Sequence, residues 1–398
     1  MDRYLVISSD SHASGLPDDY KPFIDPKFRA AYDEWVADEE LQQRRRAEHT
    51  GQTIYGEDAL EDFGQVEEVA TGGLDGAHDS ERRLKENDAD GVVAEVIFPG
   101  GGGDTIMPFN AGLMTYQYKA SPETWLAGCR AYNRWLADFC TQAPGRRAGV
   151  GLLTVDDIDI TVQEVKAIAE MGLFGGVLIP SGVGDNVLYD LPHYNHPRYE
   201  PLWEICEELQ MPVHTHSGWT PNFGNYPGSL GIFLYEVPLR AHRPLWMLLW
   251  SGVFERHPGL KFVMTEQGST WIPPALAKMD YHYNLPMFSH LRRTLPLQPS
   301  DYFKRQCYVG ASFLRPSDSD LRYEIGVDKL MWGSDYPHME GTWPYTEQSL
   351  RESLGHVSED EVTMIVGATA AHVYNFDVEA LTPIANQIGP TITALAAA

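Results

Sequence analysis

The sequence predicts an α/β fold, a (β/α)8 barrel with long insertions after some strands. Three observations carry that prediction: eight short apolar or β-branched runs, longer helix-like segments between them, and acidic or histidine residues gathered where the runs end. The runs are YLVISSD (4–10), GVVAEVIFP (91–99), RAGVGLL (147–153), GGVLIP (175–180), MPVHTH (211–216), LKFVMTE (260–266), CYVGASF (307–313) and KLMWGSD (329–335). Strands alternating with helices in this way build parallel sheets, and eight is the number that closes a barrel.

The intervening helices have their own local signals. Ser121-Pro122-Glu123 joins a good N-cap to a proline suited to the first helical turn, which starts a helix reaching about Cys140. A second helix covers Glu200 to Gln210 and stops before Pro212. Ser358 with Glu361 makes a capping-box start for a helix to about Tyr374, which closes the barrel. Three connections are too long for simple loops: residues 13–78, 100–120 and 217–237. The whole chain, 1–398, is read as one domain, with 13–78 and 217–237 as lids after strands one and five. The first lid carries the charged run Gln42-Gln43-Arg44-Arg45-Arg46.

Composition narrows the function classes. The 398 residues are 43% hydrophobic and 22% charged, ordinary globular material. A formal charge of −26 excludes the broad basic surface that nucleic-acid binding requires. Cys129, Cys140, Cys206 and Cys307 form no CxxC pair, so neither a disulfide framework nor a thiolate zinc site is indicated. The N-terminus, MDRYLVISSDSHAS, lacks the apolar core of a signal peptide, and the apolar stretch at 244–250 falls far short of the ~20 residues that cross a bilayer. A cytoplasmic protein with no membrane partner is expected. An exposed apolar patch on a barrel helix would support a homo-oligomer.

In a barrel of this kind the strand C-termini build the active site, so polar residues there are candidates for chemistry. Asp10 and His12 end the first run with i, i+2 spacing, which sends both side chains to one face. Glu95 lies in AEVIFP of the second. His214 and His216 end the fifth, again two residues apart, and Glu266 ends the sixth. Asp335 ends the eighth, with His338 three residues beyond it. A lone DxH or HxH is commonplace, and a single buried histidine is ordinarily a hydrogen-bonded core residue. Many acids converging on one barrel mouth are different, because they repel one another without a cation.

The strand-one DSH, strand-five HSG, strand-six TEQG and strand-eight GSDYPH resemble the amidohydrolase-related branch of TIM-barrel metalloenzymes. That branch also holds the aminocarboxymuconate semialdehyde and resorcylate decarboxylases. The resemblance implies a divalent metal bound by Asp10, His12, His216 and Asp335. Two departures stand out. Strand six offers Glu266 where His is common in that branch, and GGVLIPSG of strand four supplies no lysine for a carbamate bridge.

With Glu95, His214 and Glu266 added as ligands, the set of mixed histidines and carboxylates suits a pair of irons that activate dioxygen. Together with EGTWP at 340–344, it resembles the TIM-barrel non-haem diiron monooxygenases of platensimycin and platencin biosynthesis. The expectation is therefore an oxidoreductase holding two Fe, using O2 and an electron donor to hydroxylate a small substrate, such as a CoA thioester. Glu266 and His338 would be its catalytic residues. The alternative is a mononuclear Zn or Mn hydrolase or non-oxidative decarboxylase with Glu266 as acid/base. The remaining features have ordinary readings: Gly100 to Gly103 as a flexible loop, Arg292-Arg293 and Arg44 to Arg46 as solvated helix faces, and Trp219, Phe223, Tyr226, Phe233 and Tyr235 as packing for the strand-five loop.

Overall fold

Eight parallel strands follow one another around a single sheet in sequence order. They are β1 (Ile7–Ala13), β2 (Ala94–Pro99), β3 (Arg147–Leu152), β4 (Gly176–Leu178), β5 (Val213–His216), β6 (Phe262–Thr265), β7 (Cys307–Ser312) and β8 (Leu330–Gly333). The structure, a computed structural model, describes residues 2–48, 73–101, 105–111, 121–184, 191–217, 220–221, 223–224, 226–312, 314–338 and 340–396. All strand residues are buried. Helices cover the outside and side chains fill the inside, which is why these segments read as continuous apolar runs rather than alternating ones.

The sheet closes between β8 and β1 through two main-chain bonds, Asp335 N–H to the Asp10 carbonyl (2.9 Å) and His12 N–H to the Tyr336 carbonyl (2.7 Å). Gly333 permits this approach: a Cβ there would stand 2.7 Å from the Asp10 Cβ. The first strand also departs from expectation. It runs on through Asp10 and His12 to Ala13, with its register against β2 shifting between Ser8 and Ser11.

Helix Pro122–Thr141 starts as expected, with the Ser121 hydroxyl accepting from Thr124 N–H at 3.2 Å. Glu200–Glu208 ends two residues early because Gln210 takes a left-handed φ of 54°. The capping box at Ser358 does not form. Ser358 makes no side-chain cap bond and Glu361 instead holds Arg322 at 3.0 Å. The helix it opens runs as Glu359–Thr363, a π-helical turn Met364–Ala368, and Thr369–Tyr374.

The long connection after β1 contains helix Arg29–Glu48, whose Tyr32 and Trp35 pack on Phe109 of the β2 loop at 5.3 and 5.7 Å. Residues 49–72 and the side chains of Arg44 to Arg46 lie outside the described residues. So do Trp219, Gly102 and Gly103. The connection after β5 is helical in its second part, Ser229–Ala241, and its aromatics do not all pack: Tyr226 and Tyr235 are exposed. The four cysteines are free and buried. Among the described residues no helix is long and apolar enough to cross a membrane.

Candidate active site

Two acids at the barrel mouth sit on backbone that side chains rarely adopt. Glu266, one residue past β6, and Asp335, two past β8, have φ of 53° and 56°. Such conformations cost on the order of 1–2 kcal/mol each. They turn both carboxylates toward Asp10 and His12 of β1 and His216 of β5. His12 Nε2 lies 3.1 Å from Asp335 Oδ1, 3.5 Å from Asp10 Oδ1 and 3.7 Å from Glu266 Oε2. His216 Nε2 lies 3.4 Å from Asp10 Oδ1 and 3.3 Å from Glu266 Oε2. His338 stacks on the His12 ring at 4.0 Å and sets Nδ1 3.0 Å from Asp335 Oδ1. Two overlapping groups result, Asp10-His12-His216-Glu266 and His12-Glu266-Asp335-His338, each with its donor atoms within 4.8 Å of one another.

The imidazoles are aimed by their outer nitrogens. His12 Nδ1–H donates to the Pro99 carbonyl (2.9 Å) and His216 Nδ1–H to the Ser217 carbonyl (2.8 Å), which fixes both rings and leaves both Nε2 atoms facing the centre, where a metal would take them. The Ser312 hydroxyl donates to Asp10 Oδ2. Despite the short approaches, His12 Nε2 and both Asp335 carboxylate oxygens make no hydrogen bond. Buried polar atoms that converge without bonding one another are what a missing central cation would leave. Oxygen and imidazole donors in this mixture fit a divalent first-row metal.

The electrostatics agree. Burial disfavours an imidazolium at His12, but the Asp335 contact and the Asp10 and Asp335 charges outweigh it and lift the group to about 8. His216 is raised likewise, against its burial, by Glu266 and Asp10. Burial, reinforced by Asp335 and Asp10, pushes Glu266 well above the carboxylate range. Asp335 is lowered despite burial, by His338 and His12. Raised imidazoles and a raised Glu266 both mark a site short of positive charge.

Glu95 and His214 fall outside both groups. Glu95 is the second residue of β2, level with Ser8 of β1 and Arg147 of β3, at the opposite end of the strand from the mouth. Its carboxylate faces the helix layer, where Arg83 of helix Ser80–Ala89 grips both oxygens at 2.7 Å and Arg147 Nε approaches to 3.4 Å. Burial would raise this acid, yet the arginines hold it at about 2. His214 lies one inward layer below His216. Its Nε2–H donates to the Gly175 carbonyl (2.9 Å), its ring stacks on Tyr374, and burial pushes it down to about 3.

Three contributors were not read from the sequence: Arg83, Ser312 and Tyr336. Arg83 hides in SERRLKENDA, which looks like a solvated helix. Its signal was the unpaired Glu95 in an apolar run, since a buried carboxylate demands a cation.

The amidohydrolase family model matches residues 103–376. The γ-resorcylate decarboxylase of Rhodococcus jostii (strain RHA1) is 30% identical over 228 residues, 52% of this chain and 65% of that protein. The chain therefore spans less than two thirds of that relative's length. An amidohydrolase from Mycobacterium avium subsp. paratuberculosis superposes with a TM-score of 0.69 at 19% identity, covering 93% of this chain and 99% of that one. A 5-carboxyvanillate decarboxylase from Novosphingobium aromaticivorans, with bound manganese and 3-methoxy-4-hydroxy-5-nitrobenzoic acid, gives 0.64 at 17%, covering 94% and 97%.

These relatives correct the expected monooxygenase. Two are decarboxylases and the third an amidohydrolase, none of them an oxidoreductase, and the structure weakens the case for a second iron. Glu95, one of the acids expected to ligate a pair of Fe, is already neutralised by arginine. Non-oxidative decarboxylation uses neither O2 nor an electron donor, and a CoA thioester is no part of it. Arg292, read from the sequence as part of a solvated helix face, donates to the Tyr283 carbonyl.

Proposed function

The chain belongs to the amidohydrolase family, and from that premise we propose that it is a metal-dependent, non-oxidative decarboxylase of a hydroxylated aromatic carboxylic acid. The observation that carries this reading is the convergence of buried donors, two of whose residues, His12 and Asp335, leave polar atoms unbonded at the mouth. The decarboxylases among its relatives supply the reaction class and the substrate class.

Asp10, His12, His216 and Asp335 would hold one divalent ion, with Mn2+ or Zn2+ suited to the donors. Bound there, such an ion acts as a Lewis acid toward the substrate's oxygens. The protein's own residues do the rest. Glu266, at the mouth with 21% of its side chain exposed, would deliver its proton to the ring carbon that bears the carboxylate. The carbon–carbon bond then breaks, its electron pair returns to the ring, and CO2 leaves. Water reprotonates Glu266. His338, stacked on His12 and in contact with Asp335, keeps the acid set charge-balanced between turnovers. The chain is read as one barrel domain, with the described helices Arg29–Glu48 and Ser229–Ala241 of the long connections after β1 and β5 as parts of its lids.

The test is anaerobic. Metal-free protein reloaded with Mn2+ is incubated with a panel of dihydroxybenzoates and carboxyvanillate, and CO2 release is followed. Release from at least one acid without oxygen is expected. Failure with every acid, or a requirement for oxygen, would sink the proposal.

A further inference from the structure

Resting on the metal-dependent reading above, we propose that Arg83 is a positioning residue that fixes the main chain of His12 and its neighbour Tyr336, and so aims the donors carried by the closing seam of the barrel. Four of the six clustered side chains, Asp10, His12, Asp335 and His338, belong to the two segments that meet at this seam. It is also the thinnest join. β5 and β6 pair over four successive residues, whereas β1 meets the β8 segment through one isolated bridge, Ser11 with Tyr336.

Arg83 supplies what the seam lacks. All five of its guanidinium N–H groups are engaged: Nε and Nη2 on the two Glu95 oxygens (2.7 Å each), Nη2 also on Ser11 Oγ (2.9 Å), and Nη1 on the carbonyls of His12 (2.7 Å) and Gly76 (3.1 Å). Both main-chain groups of His12 are therefore held, its N–H by the Tyr336 carbonyl and its carbonyl by Arg83. The guanidinium lies over the Tyr336 ring at 4.8 Å, and the Tyr336 hydroxyl is anchored on Glu86 of the same helix. Arg83, His12 and Tyr336 thus form a closed triangle one residue from Asp335. Glu95 locks the fork in place and carries no role at the mouth itself. A lysine has the charge but not the fork, and could not hold Ser11, His12 and Glu95 together.

A merely structural ion pair would predict loss of folding and nothing more, so the test separates folding from metal affinity. The double variant Arg83→Met/Glu95→Leu removes one charge of each sign, so that Arg147 loses a repulsion together with its attraction and keeps its bonds to Ser80 and the Phe139 carbonyl; chains of similar size replace both, a change that cores often tolerate. Arg83→Lys, which keeps the charge, is the second variant should the first not fold. Arg130→Met/Glu164→Leu, removing an ion pair of 2.6 Å elsewhere, is the control. Each metal-free protein is unfolded in urea and titrated with Mn2+ alone, with free Mn2+ read by its paramagnetic resonance.

The expected result is an unfolding midpoint close to wild type for the double variant, with Mn2+ bound about 10- to 100-fold more weakly by both Arg83 variants and unchanged in the control. A folded Arg83 variant that binds Mn2+ as tightly as wild type overturns the proposal. So does equal weakening in the control, which would mark general destabilisation. Wild-type protein that fails to bind Mn2+ sinks the proposed function itself, and this inference with it.

Discussion

Two buried charge clusters lie within a few residues of each other along β1, and they are built on opposite principles. Behind the strand, Glu95 meets Arg83 and Arg147, every Arg83 N–H has a partner, and the acid is held at about 2. In front of it, at the mouth, Asp10, Glu266 and Asp335 share three imidazoles, several donor atoms bond to nothing, and Glu266 is pushed up well above the usual range. The first cluster carries its own permanent cations, with Arg147 Nε left near Glu95 but without a hydrogen bond. The second is complete only with a cation. What distinguishes the two is therefore the source of positive charge: one acid faces two arginines, whereas three acids at the mouth face no permanent cation.

The same isosteric change should have opposite effects in the two places. Glu266→Gln removes the proposed proton donor, so decarboxylation is expected to fall about 10²- to 10⁴-fold. Metal-free stability at neutral pH should stay level or rise. An acid whose folded value is raised contributes stability below its unfolded value and loses it as pH climbs through the folded one, so a neutral amide removes a penalty. A variant that unfolds earlier than wild type in urea at pH 7 would erase the distinction.

Glu95→Gln should do the reverse. The folded value near 2 against an ordinary 4.5 corresponds to on the order of 3 kcal/mol. Because the value is depressed, that stability is present above about 4.5 and is lost as pH falls through about 2. The gap between wild type and Glu95→Gln in urea unfolding should thus be widest near pH 6 and should close in acid. A gap independent of pH would show that packing and not charge holds this cluster.

The barrel was legible because its strands are buried on both faces, which compresses them into short apolar runs that stand out from polar helices. Asp10, His12, His216, Glu266 and Asp335 were legible because they interrupt or end those runs. Glu95 misled for a geometric reason. It lies within the apolar run, but four residues before Pro99 at the mouth end of β2, and at about 3.3 Å per residue that sets the acid at the far end. His214 shares the face of His216, as its spacing implied, but at the next layer down, where the Gly175 carbonyl claims it. Nothing local announces Arg83. Its importance depends on the register that sets Glu95 beside Arg147 and on a helix packing across both, and neither is encoded in a short window.

Cation removal sharpens the contrast further. Chelated wild-type protein given Mn2+ at a hundredfold excess over its dissociation constant should gain about 2.7 kcal/mol of stability by mass action. His12→Ala should gain none, because it removes a donor common to both overlapping groups. A His12→Ala protein that is stabilised as much as wild type would place the metal elsewhere.

The smallest effect concerns a half-buried acid that belongs to neither cluster. Asp90, just after helix Ser80–Ala89, receives the Thr346 N–H on Oδ1 at 3.1 Å, and burial lifts it to about 7 although the Thr346 bonds oppose the rise. It has a neutral donor where Glu95 has arginine, so it tests whether a cation, and not hydrogen bonding alone, is what keeps a buried acid ionised. The sign follows from the raised value. Its stability is fully present below about 4 and is lost as pH rises through about 7, because the ionised form is the one that burial penalises. Asp90→Asn should therefore melt within a few degrees of wild type at pH 5 and above it at pH 8.5, flattening the profile between. If the two proteins keep the same separation at both pH values, Asp90 is ionised throughout. A backbone N–H then suffices where the comparison of the two clusters says that only a cation does.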